Sequence, residues 1–132
     1  MKKWLVLALV TVLMVVLMAC GSASNSNGQG KTPEAIKVSE DEISSGSLVI
    51  TASNWKFDKK YYAIRAGESV ELTVDSIDGI HGVEILNTDY SNIINNKTTT
   101  VTITEPGTYE VRCSIPCGGG HRTMTTKLVV VA

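Results

Sequence analysis

The chain has 132 residues, 43% hydrophobic and 19% charged, with a formal net charge of −1, which suits one domain with its own core. Its twelve basic residues are scattered rather than run together, so the basic patch that nucleic-acid binding needs is missing.

In chain order, Met1-Lys2-Lys3 gives a basic start, and Trp4 to Ala19 is an uncharged, mostly apolar stretch of sixteen residues. That is short of the roughly 20 residues a spanning helix needs, and it matches the apolar part of a secretory signal. Leu17-Met18-Ala19-Cys20 follows, with a small residue directly before the cysteine. The pattern resembles a bacterial lipobox. The resemblance implies removal of residues 1–19, lipidation of Cys20, and a mature chain tethered at the extracytoplasmic face of the bacterial cell membrane. An uncleaved signal anchor is the alternative and places the rest of the chain on the same side. Without Lys2 and Lys3, ten basic and thirteen acidic residues remain, a net of −3. A net of that size is ordinary for a soluble domain.

Gly21 to Gly30 consists of Gly, Ser, Asn, Ala and Gln, a composition that cannot bury a core. Lys31 to Glu42 is charged, contains Pro33, and has room for one loose helical turn. Residues 20–46 are therefore expected to form a linker, and residues 47–132 a globular domain. Within that domain period-two patterning dominates. Val70, Leu72 and Val74 alternate with polar neighbours, as do Val101 and Ile103, and Tyr109 and Val111. Leu48 to Ile50 and Leu128 to Val131 read as the first and last strands. Ala66-Gly67-Glu68, Asp78-Gly79, Asn95-Asn96 and Glu105-Pro106-Gly107 supply the turns. Short strands with turns between them predict an all-β antiparallel sandwich or barrel of about seven or eight strands.

Near the C-terminus stand Cys113, Cys117, His121 and Met124, at intervals of four, four and three, and the only other histidine is His81. Parity places Cys113 with Tyr109 and Val111, His81 with Val83 and Ile85, and Met124 with Leu128 and Val130. Three side chains from separate strands thus converge on one end of the sandwich. Pro116 and the glycines 118–120 leave a loop between them. Thiolate and thioether donors combined with imidazole select copper, whereas a thioether is not among the usual ligands of zinc. A disulfide between Cys113 and Cys117 is the plainer alternative outside the cytoplasm. It would leave His121 and Met124 without a role.

The pattern Cys113-x3-Cys117-x3-His121-x2-Met124, with His81 upstream, resembles the dinuclear CuA centre of cytochrome c oxidase subunit II and of nitrous-oxide reductase. Asp78-Gly79-Ile80-His81-Gly82 is similar to the family's segment around its first histidine, and Pro106-Gly107-Thr108-Tyr109 to its approach to the loop. The resemblance runs from about Trp55 to the C-terminus and implies a cupredoxin-like Greek-key β-sandwich. It implies two copper ions held by His81, Cys113, Cys117, His121 and Met124, with the backbone carbonyl of Ile115 as a further ligand. Many subunits II carry glutamate where Ile115 stands, so the chain resembles the short subunit II of B-type haem-copper oxidases more. Trp55 and Phe57 fall where the family has an aromatic segment used in electron entry; core packing is the alternative for both rings.

The implied activity is single-electron transfer from a c-type cytochrome to a haem acceptor, as a component associated with a haem-copper oxidase catalytic subunit. Bond-making catalysis by this chain alone is not expected, since no open position or general base stands out. Two other functions stay open. One is an extracytoplasmic copper chaperone or storage lipoprotein, since Cys-x3-Cys also resembles Sco-type chaperones, although no helical periodicity follows residue 47. The other is a mononuclear blue-copper carrier using one cysteine, two histidines and the methionine.

Overall fold

The computed structural model describes residues 35–132. The signal segment 1–19, Cys20 and the first part of the expected linker lie outside the described residues. Nine strands form two sheets: β1 (Ser47–Ser53), β2 (Lys56–Phe57), β3 (Tyr62–Arg65), β4 (Ser69–Ser76), β5 (Gly82–Ile85), β6 (Ile93–Ile94), β7 (Thr98–Thr102), β8 (Gly107–Cys113) and β9 (Thr125–Val131). The alternating stretches all become strands, as β-branched residues on a half-buried pleated surface should. Two strands of only two residues, β2 and β6, take the number past the expected seven or eight. Among the described residues there is no α-helix.

The sheets have the orders β2-β1-β4-β7 and β3-β9-β8-β5-β6. The chain passes from one sheet to the other between β2 and β3, β3 and β4, β4 and β5, β6 and β7, and β7 and β8. Strands adjacent in sequence therefore often face each other across the core instead of pairing. The expectation of a purely antiparallel sandwich is corrected by two parallel pairs, β1 with β4 and β3 with β9. Alternation within a strand reports which face is buried and carries nothing about the direction of its neighbour.

The core lies between the sheets. Ile50, Leu72, Val74, Val83, Ile85, Val101, Val111 and Leu128 are all buried, each stabilising the fold by about 1.5–3 kcal/mol relative to exposure. Tyr90 reaches the end of the edge strand β7. Its hydroxyl donates to the Thr102 carbonyl at 3.1 Å and accepts from the Thr102 N–H at 2.8 Å. Those backbone groups would otherwise lie unpaired on an edge.

The described part of the segment before β1 runs against β3. A single 3₁₀ turn at Glu40–Glu42 sits where the sequence allows a loose turn. Ile43 bridges to Ala63, and the Ser44 N–H donates to the Ala63 carbonyl at 2.8 Å. Glu40 pairs with Arg65, Tyr61 donates to Glu42 at 2.6 Å, and Ser45 donates to Glu68. This strap covers the open edge of β3.

Candidate metal centre

Three chain segments meet at one pole of the sandwich. Cys113 is the last residue of β8, His81 immediately precedes β5, and Met124 immediately precedes β9. The parities expected from the sequence hold: His81 and Met124 are fully buried and Cys113 is 4% exposed. The β5–β8 ladder, with Val83 opposite Cys113, brings the first two together. The β8–β9 ladder continues past Arg112–Thr125, so that the Cys113 N–H donates to the Met124 carbonyl at 3.1 Å. Met124 thus lies beside Cys113 through the backbone, within the same buried cluster.

Between them the loop 114–123 closes over the pole and ends in a 3₁₀ turn at His121–Thr123. It places the Cys117 sulfur 3.6 Å from that of Cys113, both as free thiols. Each sulfur has its own imidazole: His81 Nδ1 lies 3.7 Å from Cys113 Sγ, and His121 Nδ1 lies 3.7 Å from Cys117 Sγ. The carbonyl of Ile115 is 3.2 Å from Cys113 Sγ. The donor atoms of His81, Cys113 and Cys117 lie within 4.8 Å of one another. All the sequence-predicted positions on the described chain are thereby gathered at one pole, and Cys20 falls outside the described residues.

Two features of the surroundings were not foreseen. The first fixes the His81 ring. Its Nε2 lies 2.8 Å from the Asp78 carbonyl, so the nitrogen that donates there carries the proton and leaves Nδ1 free to face Cys113. The turn that presents this carbonyl passes through Gly79 at φ +78°, where a Cβ would also come within 2.6 Å of Asn54 Oδ1. An Asp-Gly turn three residues before a histidine is the signal that marks this arrangement. The second is Trp55. Its indole N–H donates to the Cys117 carbonyl at 3.1 Å, and its ring lies on Gly118 and Gly120. The two aromatics therefore divide: Phe57 is buried in the core, whereas Trp55 stays 46% exposed and braces the loop. Nothing in a lone tryptophan sixty residues upstream signals that contact.

Burial pushes the Cys117 thiol above its usual range, and its hydrogen bonding with Cys113 adds to the shift. Without a cation the Cys117 thiol therefore holds its proton. Two sulfurs, two imidazole nitrogens and a carbonyl, converging at the rim of an apolar core, form a soft donor set. A thiophilic ion would displace the thiol protons and fit it.

No protein-family model matches the chain, and no curated protein matches it significantly. Solved structures do. A chain of a haem-copper terminal oxidase dimer is 26% identical, over 98% of this chain and 97% of that one, with a TM-score of 0.55. Auracyanin from Roseiflexus castenholzii is 20% identical over 67% of this chain and 98% of its own, with a TM-score of 0.55. The periplasmic domain of cytochrome oxidase subunit II from Bradyrhizobium japonicum is 15% identical over 64% of this chain and 83% of its own, with a TM-score of 0.54. With the two-sheet architecture, these likenesses make the fold a cupredoxin-like β-sandwich.

Proposed function

We propose that this chain is a copper protein of the electron-transfer cupredoxin type, with a dinuclear CuA centre, passing single electrons from a c-type cytochrome to a haem acceptor. The observation that carries the reading is the paired arrangement at the pole. Two sulfurs stand 3.6 Å apart, and each has its own imidazole nitrogen at 3.7 Å. A mononuclear blue-copper site uses one cysteine and has no role for Cys113. The likeness to a haem-copper oxidase chain over nearly the whole length of both chains supports the same reading. It favours association with an oxidase catalytic subunit over a free-standing chaperone.

His81, Cys113, Cys117, His121 and Met124 would hold the copper ions, with the Ile115 carbonyl. Two copper ions held there would supply a centre that gains and loses one electron. The protein's part is to keep that centre rigid and dry. His81 and Met124 are fully buried, which excludes water from the inner side. The Asp78 carbonyl holds the His81 proton on Nε2, and Trp55 ties down the loop through the Cys117 carbonyl. His121 and Cys117 are only partly buried, so their side of the centre would be the one nearest a partner. Lipidation of Cys20, supported by the sequence pattern alone, would keep the domain at the extracytoplasmic face of the membrane, within reach of a membrane-bound acceptor.

The test is metal analysis and spectroscopy of residues 35–132 loaded with copper, a span that keeps the strap. Two coppers per chain, a purple colour and an EPR signal from one electron shared by two nuclei are expected. One copper with a four-line signal would replace this reading by the blue-copper one. A single bound zinc would replace it by a structural site. Ready transfer of copper to an apo-acceptor without electron exchange would point to the chaperone.

A further inference from the structure

On the outer face of the five-stranded sheet, at the metal pole, a hollow of about 250 Å³ is lined by Glu84, Arg112, Cys113, Ser114, His121 and Arg122. Its size admits a carboxylate with a few waters, at about 30 Å³ per water. Glu84 and Arg112 face each other across β5 and β8 and are paired, Nε to Oε1 at 2.5 Å. The single carboxylate in the wall is thus engaged with one guanidinium. Arg122, exposed in the turn after His121, is in no ion pair among the described residues. The hollow therefore keeps one uncompensated positive charge. Ser114 Oγ is buried and has no hydrogen-bond partner among the described residues. Buried hydroxyls are normally partnered, and Ser114 is among the residues that line the hollow.

We propose that this hollow, formed by Arg112, Ser114, His121 and Arg122, receives a carboxylate carried by the electron-transfer partner. Guanidinium groups suit carboxylates because their N–H fork matches the two oxygens. His121 forms part of the wall and stands 3.7 Å from Cys117 on its other side. A group seated here therefore lies against His121 and at the Cys113 end of the sulfur pair. The inference refines the choice of partner. The acidic balance of the chain, net −3 from Cys20 onward, favours a basic partner, but the surface beside His121 has the opposite sign. Local charge governs docking at distances shorter than the Debye length of about 8 Å. The hollow rests on the electron-transfer reading for its purpose and not for its binding, so the two are separable by experiment.

Citrate titrated into metal-free protein should produce saturable shifts of the Ser114 and Arg122 amides. Arg122→Gln should abolish them, and Lys127→Gln, a cation further along β9, should not. With copper loaded and reduced, hexacyanoferrate(III) takes one electron from the centre and becomes hexacyanoferrate(II). Arg122→Gln should slow that step about tenfold at low ionic strength, while oxidation by cationic tris(1,10-phenanthroline)cobalt(III), which becomes the cobalt(II) complex, should be no slower. A c-type cytochrome with an acidic haem edge should then react faster than one with a basic edge. Absence of citrate shifts in the parent protein, undiminished shifts in Arg122→Gln, equal slowing of both reagents, or preference for the basic cytochrome would each overturn the proposal. Citrate binding in a protein that never forms a coloured copper centre would sustain the hollow and remove the electron-transfer reading instead.

Discussion

Gly120 has room for a hydrogen and nothing larger. A Cβ there would stand 2.4 Å from both Cβ and Cγ of Trp55, so Gly120→Ala must push the indole off the loop and break its bond to the Cys117 carbonyl. Overpacking of this kind costs about 1–3 kcal/mol. A lower denaturant midpoint with red-shifted indole emission is expected; unchanged emission would mean that Trp55 does not brace the loop. Cys113→Ser removes one of the two sulfurs and leaves His81, Cys117 and His121 in place. Copper per chain should fall from two to one, with a mononuclear EPR signal. Met124→Leu conserves volume in a fully buried position, so its packing cost should stay below about 1.5 kcal/mol. A thioether would be the weakest donor of the proposed set, so the reduction potential should move more than copper affinity does. An equal loss of both would make Met124 a principal ligand.

The strap before β1 and the edge strand β7 are each closed by a side-chain device, and each can be tested alone. Tyr90→Phe deletes the hydroxyl that serves both backbone groups of Thr102. Leaving them unsatisfied costs about 1–3 kcal/mol, visible in chemical unfolding. On the strap, hydrogen bonds from Tyr61 and then Ser39 lower Glu42 from 4.5 to about 2, while the same Glu42 bond raises the Tyr61 phenol above its ordinary 10.0. A lowered carboxylate contributes docking that is complete above 4.5 and is lost as pH falls toward 2. A raised phenol contributes docking that is complete below 10 and is lost as pH climbs past it. The Ser44 amide shift, which reports the bond to Ala63, should therefore be constant between these limits and move outside both. A midpoint at an ordinary carboxylate value would show that the Tyr61–Glu42 contact does not form. At this scale the sequence was partly legible. Strands such as β4 and β8 stand out because alternation with β-branched residues is a local signal. The parity of His81, Cys113 and Met124 followed from it. Sheet order, the parallel β1–β4 and β3–β9 pairs and the strap are long-range matters that no window of sequence encodes. Trp55 on Gly120 is likewise visible only once both loops are placed.

Taken as a whole chain, the protein joins residues 1–34, read from sequence alone, to a sandwich whose geometry is described. The lipobox pattern predicts that Cys20→Ala blocks processing and abolishes lipid labelling in a bacterial host; absence of label in the parent protein would show a different anchor. The polarity of the sandwich itself has a separate consequence. All the candidate ligands lie where β8 ends and β5 and β9 begin. The start of β1 and the end of β9 instead meet the Ala66–Glu68 turn at the other pole, where Gly46 N–H donates to Glu68 and Ala66 N–H to the Val131 carbonyl. Seven strand residues separate the poles along β1 or β9, about 23 Å at roughly 3.3 Å per residue. For anyone wiring this protein to a gold electrode, a tag at the C-terminus holds the redox pole at arm's length from the metal surface. A thiol placed on the rim near Ile80, which is 68% exposed, presses it close. Voltammetry of the two orientations should show sluggish exchange in the first and fast exchange in the second.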